Sequence, residues 1–164
     1  MVPLRIASCV FGACVFAPCV AARAQDSDTQ RFIGTWRLVS IQGDSLSQLA
    51  RGDHPTGYIY YDATGHMAVQ IQPDRKRPSW SSTKSLSGEE AVKALTGYTA
   101  YFGTYTVDPG ARTVTHHREG ALNLDVVDYV RRYQFEGADR IALMPVDRPG
   151  YRLVWERVGE RKHP

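Results

Sequence analysis

From Phe32 onward, apolar and polar residues alternate with period two, and short polar turns interrupt the alternation at regular intervals. Because successive side chains on a strand point to opposite faces, this pattern predicts half-buried strands, and their close spacing predicts an all-β sandwich or barrel. Eight segments fit: 34–42, 57–62, 65–72, 101–108, 112–119, 128–136, 139–145 and 151–157. Asp62-Ala63-Thr64-Gly65, Asp108-Pro109-Gly110 and Glu136-Gly137-Ala138-Asp139 are connections short enough to join antiparallel neighbours, which implies a meander. One stretch follows a different rhythm. In "SLSGEEAVKALTGYTAYF", Ser87 and Glu90 have capping-box spacing, and Ala91, Leu95, Tyr98 and Phe102 recur at helical intervals, so a short helix is expected over about 88–98, between strands 3 and 4.

Eight meandering strands leave two exposed edges unless the sheet closes, and closure yields a barrel with room for packed side chains or one small ligand. The expected fold is therefore an eight-stranded antiparallel up-and-down barrel over residues 32–160, preceded by a polar leader at 25–31.

The first 24 residues alter the picture. "MVPLRIASCVFGACVFAPCVAARA" has one early cation, an apolar run from Ile6 to Val20, and Ala22-Arg23-Ala24 before Gln25, the form of a secretory signal peptide cleaved after Ala24. The run is shorter than the roughly 18–20 residues that span a bilayer, so no stable membrane span is expected after cleavage. An uncleaved anchor, or lipid on Cys14 or Cys19, is the alternative. All three cysteines lie in this segment, so the mature chain has no thiolate nucleophile, disulfide or cysteine-bound metal. Loss of Arg5 and Arg23 leaves 18 basic residues against 17 acidic ones, a balance with no electrostatic footprint for nucleic acid. A periplasmic or secreted location follows from this segment.

The motifs "GTWRLVS", "PTGYIYYDATGHMAVQI", "AYFGTYTVD", "TVTHHREG", "YVRRYQFEG" and "LVWERV" occur in that order. Together they resemble the bacterial and fungal lipocalin-like domain family across nearly all of the mature chain. The resemblance implies a calycin-type barrel with a central cavity for a small, largely apolar molecule. It implies little about activity, because one fold hosts many functions. Gly34-x-Trp36 is similar to the Gly-x-Trp of lipocalins, and Arg157 looks like their partner arginine, which implies a stacked pair closing the narrow end of the barrel.

Apolar parity selects the inward face: Trp36, Leu38 and Ser40; Ile59 and Tyr61; Met67, Val69 and Ile71; Tyr101, Gly103, Tyr105 and Val107; Tyr129, Arg131, Tyr133 and Phe135; Ile141 and Leu143; Leu153 and Trp155. On the first strand Val39 and Ile41 oppose Leu38, so its parity is ambiguous. In "TVTHHREG", His116 shares the parity of Val114 and Arg118, whereas His117 faces out, so the two imidazoles cannot chelate one ion. No metal and no cofactor is expected. The residues expected to line a ligand site are Tyr61, Met67, Val69, Tyr101, Tyr105, His116, Arg131, Tyr133 and Trp155. An inward Arg131 needs an anion or several acceptors, so Arg131 and His116 in a wall of tyrosines suit a small hydrophobic ligand with a polar or acidic end.

Other readings remain open at this point. His116 bonds either a ligand or a neighbouring tyrosine, and Arg131 either faces the interior or is neutralised near the rim by Asp125, Asp128 or Glu119. Trp80, in the loop before the helix, is a lid anchor or simply core cover. Arg75-Lys76-Arg77 is a solvated loop or a contact for anionic lipid headgroups. Two further functions compete with ligand binding. One is a cofactor-free isomerase, cyclase or dehydratase with His116 as acid–base; the other is an interaction module whose barrel is filled by its own tyrosines. The chain contains no G-x-S-x-G elbow, phosphate-binding glycine loop or H-E-x-x-H.

Overall fold

A computed structural model describes residues 28–43, 50–77, 87–122 and 127–159. Eight antiparallel strands, β1 (Gly34–Gln42), β2 (Thr56–Tyr61), β3 (His66–Gln72), β4 (Thr99–Asp108), β5 (Thr113–Ala121), β6 (Tyr129–Phe135), β7 (Arg140–Pro145) and β8 (Arg152–Arg157), follow one another round a closed barrel. Closure comes from β1 pairing with β8, Trp36 lying opposite Arg157 and Leu38 opposite Trp155. The expected fold is the observed one, and the short helix between β3 and β4 spans Gly88–Leu95.

Local chemistry sets the ends of these elements. At the β2–β3 turn, Oδ1 of Asp62 accepts hydrogen bonds from the Thr64 amide at 2.8 Å, the Thr64 hydroxyl at 2.8 Å and the His66 amide at 2.9 Å. Gly65 supplies the positive φ that the turn requires. Asp62 and Gly65, expected both at the strand ends and in the connection between them, belong to the turn. The helix begins on the expected capping box, with Ser87 and Glu90 exchanging hydrogen bonds. It stops three residues earlier than expected. Thr96 leaves helical geometry and Gly97 takes φ 75°, so Tyr98 and Phe102 lie outside the helix. Its buried residue is Ala94, and Leu95, expected on the packed face, is exposed. Arg75 and Arg77, two cations of the basic loop, turn onto its C-terminal end. Arg75 donates to the carbonyls of Lys93 and Thr96, and Arg77 Nε donates to that of Ala94 at 2.9 Å.

Two irregularities shift parity within strands. The β1–β8 register slips between Leu38 and Ser40, so Ile41 pairs with Leu153 and packs against the core. This resolves the ambiguity of the first strand and corrects the placement of Ser40, which pairs with Val154 and leaves the Trp36–Leu38 face. A second slip, between Phe102 and Gly103, makes Gly103 face Arg118 and Phe102 face Gly120, with Glu119 as the extra residue.

The core runs the length of the barrel but differs at its two ends. Where β1 begins and β8 ends, residues 28–32 form a helical turn that places Phe32 inside the barrel with no exposed surface. Its ring meets Tyr61, Tyr133 and Phe135 edge-on at 5.2, 5.0 and 5.4 Å between centroids. This end is solid. The Arg157 guanidinium lies 4.2 Å from the centre of the Trp36 ring, as the resemblance implied. Among the described residues, no helix is long and apolar enough to cross a membrane.

Candidate functional site

Away from the Phe32 plug, the barrel interior opens into a cavity of about 180 Å³. Its apolar lining comes from β2, β3, β7 and β8, through Ile59, Val69, Ile71, Leu143, Leu153 and Trp155. Its polar lining is concentrated on β5 and β6, through Arg118, Tyr129 and Arg131, and on the connections that carry Arg51, Asp147 and Arg148. Four arginines against one carboxylate give the cavity a cationic side beside its apolar lining.

Each cation is held differently. Arg51 is fully engaged: Nε donates to the Gly97 carbonyl at 3.2 Å, Nη1 to the Tyr151 hydroxyl at 2.5 Å and Nη2 to the Thr99 hydroxyl at 2.8 Å. Arg118 is 7% exposed, donates from Nε to the Val127 carbonyl at 2.6 Å and stacks 3.8 Å from the Tyr129 ring centre. Its Nη2 is buried and has no partner. Arg131 lies 4.9 Å from the same Tyr129 ring and reaches the neutral imidazole of His116, Nη1 to Nδ1, at 3.3 Å. Among the described residues, no carboxylate lies within ion-pair distance of Arg118 or Arg131. Asp128 and Glu119, two expected neutralisers of Arg131, do not pair with it, and the third, Asp125, lies outside the described residues.

His116 sits beside the cavity without lining it. The ring has no exposed surface, and each nitrogen meets a tyrosine hydroxyl: Nε2 to Tyr61 at 2.7 Å and Nδ1 to Tyr101 at 2.9 Å. Because a guanidinium can only donate, the Arg131 contact requires Nδ1 to accept. The ring proton therefore belongs on Nε2, donated to the Tyr61 oxygen. Burial, then the charge of Arg131, then that of His117 hold the His116 pKa well below 6.5, so the ring is neutral at physiological pH. Burial likewise raises the pKa of the Tyr61 and Tyr101 hydroxyls, and they stay protonated. The imidazole is thus a satisfied structural node between β2, β4 and β6.

Of the nine residues expected at a ligand site, Val69, Tyr101, Arg131 and Trp155 line the cavity. Tyr61, Met67, Tyr105, His116 and Tyr133 belong to the packed core. Tyr105 donates to the Asp62 carbonyl at 2.9 Å and Tyr133 to Asp28 at 2.6 Å, which fixes both hydroxyls at the solid end. Burial, reinforced by the bond to Asp28, pushes the Tyr133 hydroxyl pKa far above its ordinary value. Sequence reasoning passed over Arg118 and Tyr129 as cavity residues although their inward parity was visible. Arg51 carried no such signal, because it belongs to no strand. Trp80 lies outside the described residues.

His117, on the outer face as expected, pairs with Asp128 at 2.8 Å and with the Thr106 hydroxyl at 3.0 Å. Among the described residues, no group of three or more His, Cys, Asp or Glu side chains is placed to hold a metal ion.

The family model described as a lipocalin-like domain matches residues 33–157. No curated protein matches the chain. Similar solved structures include the fluorescent protein UnaG as wild type and as a point mutant. Each is 12% identical with a TM-score of 0.38, covering 79% and 80% of this chain, respectively, and 99% of its own.

Proposed function

The chain belongs to the lipocalin-like domain family, whose barrel type can in general hold small hydrophobic molecules, and from that premise we propose that it is an exported carrier or sensor. In this reading it binds one small, largely apolar molecule with an acidic end. The observation that carries the proposal is the pair Arg118 and Arg131, two guanidiniums on the wall of a cavity whose β2, β3, β7 and β8 side is apolar, with no carboxylate at ion-pair distance among the described residues. A charge taken out of water is costly unless compensated, and a bound anion compensates it. Export rests on the signal-like first 24 residues.

Binding is favoured over acid–base turnover because both His116 nitrogens already have partners and the ring does not line the cavity. Native mass spectrometry of the purified mature protein tests the proposal. The expected spectrum carries an added small mass that denaturation releases. A bare protein that also shows no shift of its cavity resonances with any small apolar acid would overturn it.

A further inference from the structure

We infer that the cavity selects a single-ring carboxylic acid, and that Arg118 is the residue that takes its carboxylate. The inference rests on the binding reading above and adds to it the class of ligand and the anchor.

Arg118 is prepared for this task in a way the other cations are not. Its Nε is committed to the Val127 carbonyl, and its plane is stacked on the Tyr129 ring, so the guanidinium cannot swing. What remains is a buried Nη2 without an acceptor, on a side chain that lines the cavity. A carboxylate is the natural complement of a fixed guanidinium edge, because charge-assisted N–H···O⁻ bonds are both directional and strong. Arg131 brings a second positive charge to the same Tyr129 ring, and among the described residues its hydrogen-bond partner is the neutral imidazole of His116. Arg51, with every nitrogen bonded, belongs to the scaffold.

Size supplies the other half. An apolar cavity of roughly 150 Å³ accepts benzene, and the space here is about 180 Å³. One ring fits against Ile59, Val69, Leu143, Leu153 and Trp155, with a carboxylate directed at the β5–β6 wall.

Calorimetric titration of the full chain with benzoate, benzamide, toluene and decanoate tests the inference, using the wild type, Arg118→Met and Arg118→Lys. Benzoate is expected to bind at least about tenfold more tightly than benzamide, the difference of one charge-assisted hydrogen bond. Arg118→Met should weaken benzoate by roughly 10- to 100-fold while leaving toluene unchanged. Arg118→Lys, which keeps the charge but loses the fork, should fall between the two. If Arg118→Met does not fold, the benzoate-to-benzamide ratio and the lysine variant still decide the matter. Benzoate no tighter than benzamide, benzoate indifferent to both Arg118 variants, or decanoate tighter than benzoate would each overturn this inference alone. Failure of all four probes, toluene included, would overturn the binding reading with it.

Discussion

Arg157 closes the narrow end of the barrel by laying its guanidinium 4.2 Å from the centre of the Trp36 ring. The same group donates to the Ile33 carbonyl at 2.6 Å and the Arg31 carbonyl at 2.5 Å, while the Trp36 indole donates to the Phe32 carbonyl at 2.7 Å. One side chain therefore ties the end of β8, the start of β1 and the helical turn before it. Arg157→Ala loses the cation–π contact and two charged hydrogen bonds and is expected to cost about 2–4 kcal/mol, read from the urea midpoint. Arg157→Lys should recover only part of this, because an ammonium cannot serve both carbonyls and the indole face.

Phe32 divides the packed end from the open one. Phe32→Ala empties a fully buried aromatic site surrounded by four other rings, and a loss of roughly 3–5 kcal/mol is expected. Affinity for a small acid should change little, because Phe32 does not line the cavity. Thermal unfolding with and without bound ligand separates the two effects. A variant that kept its stability but lost binding would contradict the division.

Much of this architecture is legible in the chain because a barrel with alternating faces writes its interior into the sequence. Met67, Val69 and Ile71 are buried as their period predicts, and His116 and His117 part to opposite faces. What parity cannot register is a bulge, since one extra residue changes the count and not the composition. Ser40 and Ile41 exchanged faces for this reason, and Ala121 follows Arg118 into the barrel only because Glu119 is the extra residue between them. Nor can parity divide the interior into solid and hollow halves. That division depends on Phe32, which enters from outside the strand pattern and engages the tyrosines that would otherwise face open space. Tyr61, Tyr105 and Tyr133 lie in the packed half for that reason, while Arg118, inward by the same parity as His116, lines the hollow one.

Gly103 shows how narrowly the second bulge is built. A β-carbon there would overlap the His117 carbonyl on β5, a backbone atom that cannot rotate away. Gly103→Ala must therefore part β4 from β5 at the point where Arg118 is aimed inward. The expected cost is at least about 3 kcal/mol, with a comparable loss of ligand binding in whatever fraction still folds. Gly137→Ala is a useful contrast, since nothing stands within 4 Å of its would-be β-carbon and only the strain of its positive φ is felt. A Gly103→Ala protein as stable as the Gly137→Ala one would show that the strands can separate at no cost.

The His116 node makes stability depend on pH in a defined direction. In the native barrel its pKa lies well below 6.5, because the ring is buried and the Arg131 charge opposes a second. In the unfolded chain the same ring titrates near 6.5. Between these two values the unfolded state binds a proton that the native state refuses, so stability falls as the pH drops below about 6.5. The slope attributable to this one group approaches about 1.4 kcal/mol per pH unit and flattens only when the native ring is finally protonated. Exposed carboxylates such as Asp62 and Glu156, whose native pKa values are lowered, add a slope of the same sign, but only at more acidic pH. His116→Gln isolates the histidine. It has no titrating proton yet can still meet the Tyr61 and Tyr101 hydroxyls, so it should be less stable than wild type at pH 8 and should close the gap as the pH approaches 5. Urea unfolding of both proteins at half-unit intervals reads the difference directly. Parallel curves across that range would mean that His116 accepts its proton inside the folded barrel, and that the Arg131 charge is not felt at Nδ1.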